Sequence, residues 1–402
     1  MNIEHIEESY RVLESDSTLQ NLIAQANARY ILYNTQESQQ NFPRYTIKDK
    51  QLNILAFKYL NIGCNYFENS NYIKAAHSLE KGASILEYIH GSVNVETKNK
   101  KLFCLISALS YYVCFQYSKS FILISKLKSD TVISSLISLF LNRNFDQLLT
   151  DIELIITDYD YDDEYLAEHF EEDNAIRIYE IIIAKSLNYY VQFYHTGNSE
   201  FLEIAKRNLI DLQEIAEIRG EPDIWWVIRL LLLIIEGFKE SSLWYVLDHH
   251  FNTKDKFPLK YIQSLVYKKG SITELFLTQR NSLPKVLNNE ANGSIVSIPT
   301  SSGKTRIGEI AILNCLVNEP DAKILFIAPF RSLAYEIENS LDEIFSNLDV
   351  SVSHLYGGSL FSKLDEKIID ESSVIVATPE KAKALLRSSE DILSCIKLVI
   401  VD

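Results

Sequence analysis

Up to about residue 250, apolar residues recur every three or four positions within long segments such as Gln51–Phe67, Tyr72–Ile89, Lys101–Phe115, Ala175–Tyr194 and Phe201–Ile218. That period puts apolar side chains on one face of an α-helix. The segments are broken by polar clusters (Glu68-Asn69-Ser70-Asn71, Thr196-Gly197-Asn198-Ser199, Arg219-Gly220-Glu221-Pro222) of the kind that cap helices and form turns. Alternating apolar–polar runs are scarce, so the pattern predicts an all-helical domain over 1–255. A connector follows over 256–270, and then the texture changes. Short β-rich runs (Gly293–Ile298, Lys323–Ala328, Val350–Leu355, Val374–Ala377, Leu398–Val401) alternate with helical ones (Arg306–Val317, Ser332–Phe345, Lys381–Leu386). This alternation predicts a parallel sheet with covering helices over 271–402. The fold class expected is therefore α + α/β.

Within the helical part, Gly63, Tyr66, Ala75 and Leu79, with Gly82 beyond, fall at the small–aromatic–small–bulky spacing of a tetratricopeptide repeat. Ala108 and Tyr111 echo it weakly. A helical-hairpin solenoid and an irregular helical bundle both remain open. Five scattered cysteines (Cys64, Cys104, Cys114, Cys315, Cys395) and an acidic, polar start suggest reduced thiols in a cytoplasmic protein. The most apolar run, Ile224–Phe238, contains Arg229 and Glu236 and is too short and too charged to span a bilayer, so no membrane is expected.

The formal charge of −15 argues against bulk polyanion binding. Eleven of the carboxylates lie in residues 151–173, which hold no Lys or Arg. Asp158, Asp160 and Asp162 alternate as in a calcium loop, but the glycine and the closing glutamate of such a loop are missing. A solvated loop, a docking surface for a basic partner and a metal site are the three readings of this stretch.

The densest chemistry lies in Pro299-Thr300-Ser301-Ser302-Gly303-Lys304-Thr305, between the expected strand at 294–298 and an expected helix. A triphosphate needs inward-turned backbone N–H groups, a helix N-terminus, one ammonium and one hydroxyl for magnesium. Gly303 permits close backbone approach, Lys304 can reach the terminal phosphates, and Thr305 can ligate Mg²⁺. Ile298 stands where the P-loop pattern usually has its first glycine.

The same segment resembles motif I of superfamily 2 DExD/H-box helicases, in particular the Ski-like branch, and further segments resemble other motifs in the family's order. Phe276-Leu277-Thr278-Gln279-Arg280 matches the Q motif and Phe326–Glu336 resembles motif Ia. Tyr356-Gly357-Gly358 resembles the glycine doublet, Ala377–Lys381 motif Ib, and Val399–Asp402 the strand and first acid of motif II. The resemblance covers about residues 271–402 and implies a first RecA-like ATP-binding domain that stops at motif II. It also implies ATP and Mg²⁺ as cofactors, adenine reading by Gln279, and magnesium ligation by Thr305 and Asp402. Contacts to the backbone of single-stranded DNA or RNA would come from Arg331, the Gly357 and Gly358 amides, and Thr378. Residues 271–402 nonetheless carry 12 basic and 18 acidic side chains, so such a grip would depend on a few placed groups.

On this reading the chain is the N-terminal part of an ATP-dependent helicase or translocase, and by itself should hydrolyse ATP negligibly. Two alternatives are a helical-repeat scaffold with a regulatory nucleotide switch, and a non-catalytic truncated interaction protein. The arrangement is also similar to bacterial antiphage defence helicases of the Hachiman type, which work beside a nuclease. That similarity implies a nuclease or other protein partner for the helical domain.

Overall fold

The computed structural model describes residues 3–35, 46–90, 98–127, 131–157, 172–288, 293–299, 303–355, 362–387 and 394–402. The chain divides into two units, 1–237 and 238–402. The first contains α1 (Ile3–Ser15), α2 (Ser17–Asn34), α3 (Thr46–Glu68), α4 (Tyr72–His90), α5 (Lys98–Val113), α6 (Tyr117–Lys126), α7 (Val132–Leu141), α8 (Phe145–Thr157), α9 (Glu172–Thr196), α10 (Glu200–Arg219) and most of α11 (Pro222–Ser241). No strand occurs among its described residues.

Helices adjacent in sequence pack on one another, α3 against α4 most extensively. The small residues at the α3–α4 contact explain the closeness. A Cβ on Gly63 would lie 2.6 Å from Leu79 Cγ and 2.9 Å from the Leu79 backbone nitrogen, and one on Gly82 would lie 2.9 Å from the Ala56 carbonyl oxygen. Tyr66, Ala75 and Leu79 are fully buried there. The echo is also core: Ala108 and Tyr111 are buried, and the Tyr111 hydroxyl donates to Glu87 of α4 at 2.9 Å.

The second unit continues with α12 (Leu243–Asp248), α13 (Lys256–Val266), α14 (Leu277–Val286), α15 (Lys304–Asn318), β1 (Lys323–Ile327), α16 (Arg331–Phe345), β2 (Val352–Leu355), α17 (Lys363–Glu371), β3 (Val374–Ala377), α18 (Pro379–Leu385) and β4 (Ile396–Val401). The four strands form one parallel sheet in the order β2-β3-β1-β4. Leu325, Leu355, Ile375 and Ala377 of the sheet bury themselves against Ile369 of α17 and Ala382 and Leu385 of α18. On α15, Gly308 lets the helix approach Phe326 of β1 and Ile400 of β4. The architecture is thus an all-helical unit followed by a small parallel α/β unit, as the pattern predicts.

One expected strand is absent. Residues 293–299 form no strand, and Ile295 is 99% exposed. An apolar run becomes a strand only where a neighbour offers a hydrogen-bonding edge. Among the described residues β4 is the sheet's last strand on that side, and an open cleft separates it from Ser294 and Val296. Most of the acidic stretch, residues 158–171, lies outside the described residues. Among the described residues no helix is long and apolar enough to cross a membrane, and no group of three or more His, Cys, Asp or Glu side chains could hold a metal ion.

Candidate nucleotide and nucleic-acid site

The site is assembled at the carboxyl ends of parallel strands, where an open α/β sheet leaves a crevice and helix N-termini face it. Gly303 is left-handed (φ 70°, ψ 48°) and starts the fifteen-residue helix α15, so Lys304 and Thr305 are its first residues. A side chain is excluded at Gly303 twice over. The φ disfavours any L-residue, and a Cβ would collide with the Gln279 amide nitrogen. Gln279, on α14, is only 4% exposed. Its Oε1 accepts from the Phe276 backbone N–H at 2.8 Å, and its Nε2 donates to the Gly303 carbonyl at 3.0 Å. Both ends of the amide expected to read adenine are thus engaged within the protein, where they fix the turn before Lys304.

Asp402 directly follows β4, its backbone N–H donating to the Ile327 carbonyl of β1 at 3.1 Å. Lys304, Thr305, Val401 and Asp402 line a single cleft of ≈ 920 Å³. The structure therefore places three of the residues that the sequence singled out, Lys304, Thr305 and Asp402, on the lining of one cleft. Pro299 is exposed on the unpaired segment, and Thr300, Ser301 and Ser302 lie outside the described residues. The residues present fit a magnesium triphosphate: a glycine turn with no room for a side chain, a helix start, and one cation and two oxygen-bearing residues lining one cleft.

Behind the turn lies a buried polar group that the sequence pattern did not reveal. Glu309 of α15 is buried, paired with Arg306 one turn earlier, and accepts from the Tyr261 hydroxyl of α13 at 3.1 Å. Burial pushes its carboxyl above the ordinary value, opposed by Arg306 and the Tyr261 bond. With Gln279 and Gly303, Arg306 and Glu309 also line a smaller cavity of ≈ 380 Å³. Tyr261 lies in the expected connector, 256–270, within the run Phe257–Lys268 whose pattern predicts a last helical piece and which is helical over Lys256–Val266. The only sequence signal for this group was the i, i+3 spacing of Arg306 and Glu309.

Arg331 is exposed and opens α16, four residues past the end of β1. Thr378 is the N-cap of α18 and is 4% exposed, so its hydroxyl sits inside the fold. Gly357 and Gly358 lie outside the described residues. Lys381 of α18 and Asp365 of α17 form a buried ion pair at 2.7 Å. Asp365 also closes a capping box, accepting from the Ser362 N–H and hydroxyl at 2.7 Å each. Burial alone would raise the Asp365 carboxyl; the bonds from Lys381 and Ser362 outweigh it and hold it below the ordinary value.

Residues 277–402 match the model of the DEAD/DEAH box helicase family. This part of the chain is a DEAD/DEAH box helicase domain. The domain's relatives include the ATP-dependent DNA helicase Hel308 of Pyrococcus horikoshii, 33% identical over 34% of this chain and 18% of its own length. The pre-mRNA-splicing factor brr2 of Schizosaccharomyces pombe is 31% identical over 27% of this chain and 5% of its own. The whole chain, helical unit included, is similar to the Hachiman protein HamB of Bacillus cereus, 41% identical over 404 aligned residues. It spans 35% of that relative's length.

Proposed function

We propose that the helicase domain of this chain binds ATP·Mg²⁺ in the cleft between the start of α15 and the end of β4. It would serve there as the first RecA-like lobe of an ATP-dependent helicase or translocase. The observation that carries this reading is the shared lining of one cleft by Lys304, Thr305 and Asp402 behind the glycine turn held by Gln279. Backbone N–H groups at the start of α15 donate to phosphate oxygens, and the Lys304 ammonium balances phosphate charge. Thr305 and Asp402 offer the oxygen donors that magnesium prefers, and Mg²⁺ when bound neutralises charge on the phosphates. Arg331 grips the backbone of an unpaired DNA or RNA strand, in a manner that carries no sequence information.

Calorimetric titration with ATP·Mg²⁺ tests the site. The chain is expected to give binding heat that Lys304→Ala abolishes. No heat from either this chain or one extended past residue 402 would overturn the reading. The similarity of the whole of this chain to part of the Hachiman protein supports a role in bacterial defence, in the cytoplasm and alongside a nuclease partner. Loss of phage resistance on deleting the gene is the expected outcome, and unchanged resistance would count against that role.

A further inference from the structure

Two aromatic residues flank Arg331 and neither joins the core: Phe330 is 69% exposed and Tyr335 59%. Phe330 is extended (φ −133°, ψ 151°) and precedes α16, three residues past the carboxyl end of β1. Arg331 and Tyr335 are four residues apart on α16, which places them on one face. An adjoining face of the helix is buried through Ala334, Ile337 and Leu341. The sheet register puts the ends of β1, β3 and β4 side by side, so Thr378 and Asp402 share this rim. Two exposed rings within six residues of chain forfeit burial that a core position would have given them. An exposed arginine next to Phe330 in the chain and one turn before Tyr335 argues for a polyanionic occupant, and exposed rings near a phosphate anchor match unpaired bases.

We propose that Phe330 and Tyr335 form a stacking platform for unpaired bases of a nucleic-acid strand whose backbone Arg331 holds. This rests on the nucleic-acid reading above and deepens it. The strand is single-stranded because paired bases keep their faces inside the stack, and the platform is sequence-tolerant because every base has a face to offer.

The test is fluorescence anisotropy of the full chain with labelled oligothymidylate and with an abasic strand of equal length. Phe330→Ala and Tyr335→Ala are each expected to weaken binding of the base-bearing strand by about 5- to 100-fold and leave the abasic strand unchanged. Phe330→Leu, which keeps an apolar side chain but no ring, should behave as alanine does, and Phe330→Trp should restore binding. Arg331→Ala should weaken both strands alike. Stacking is overturned if the Phe330 variants bind oligothymidylate as the unsubstituted chain does, as they would if the rings serve a protein contact. It is also overturned if they lose both strands equally. Loss with Arg331→Ala alone would remove the platform and keep the backbone grip. Absence of binding by the unsubstituted chain would remove both.

Discussion

Replacing Lys381 by methionine keeps the apolar stem of the side chain and deletes the ammonium that faces Asp365. Both side chains are almost wholly buried, 5% and 9% exposed, at a separation of 2.7 Å. Removing one partner of such a pair leaves a desolvated charge, which costs about 3–5 kcal/mol. The two bonds from Ser362 still hold the carboxylate, so the lower end of that range applies. For a unit of this size each kcal/mol moves the unfolding midpoint by about 2–4 °C, which predicts a drop of roughly 6–12 °C by scanning calorimetry. The double variant Lys381→Met, Asp365→Leu should recover most of it, keeping only a cap loss of about 1 kcal/mol. Because the native Asp365 carboxyl lies below its ordinary value of 3.8, its contribution is present above that pH and is lost as pH falls through the lowered value. The gap between native chain and variant should therefore close in strong acid. A single-variant shift under about 2 °C, or a double variant as unstable as the sum of the two singles, would refute the account.

Gly63→Ala sets helix propensity, worth about 1 kcal/mol in favour of alanine, against a Cβ placed 2.6 Å from Leu79. Overpacking should win by about 1–3 kcal/mol in urea unfolding, and a stabilised variant would contradict the close packing. His90, packed at a tilt against Phe103, is pushed down to about 4 from 6.5 by burial. The unfolded chain therefore takes the proton first, and stability that is full above pH 6.5 should fall by up to about 3 kcal/mol by pH 4. His90→Gln should flatten this slope, measured as urea midpoints at several pH values. Gly303→Ala should break the Gln279 contact and weaken ATP·Mg²⁺ binding by about tenfold or more, read by calorimetry, at a strain cost of about 1–2 kcal/mol.

The helical unit was legible because its period and its small residues act locally: the pattern that put Gly63, Ala75 and Leu79 at one contact is also what brings α3 and α4 together. Strands β1 to β4 were legible as short apolar runs. Their order was not, since adjacency in a parallel sheet depends on crossovers that no local run encodes. The run at 293–298 is also rich in β-branched residues and forms no strand: it lies across an open cleft from β4 and does not pair with that strand's edge, a spatial fact that composition does not carry. Lys304, Thr305 and Asp402 could be named from motif context, whereas Tyr261, Glu309, Asp365 and Lys381 emerged only when burial turned ordinary surface residue types into interior partners.

Among the described residues β4 is hydrogen-bonded on one side only, and its Val399 and Val401 side chains are exposed. A bare backbone edge with apolar flanks is a template for another polypeptide. Concentrated solutions of this chain should therefore associate edge to edge, in a manner that excess salt does not dissolve and that a lysine introduced at Val399 suppresses.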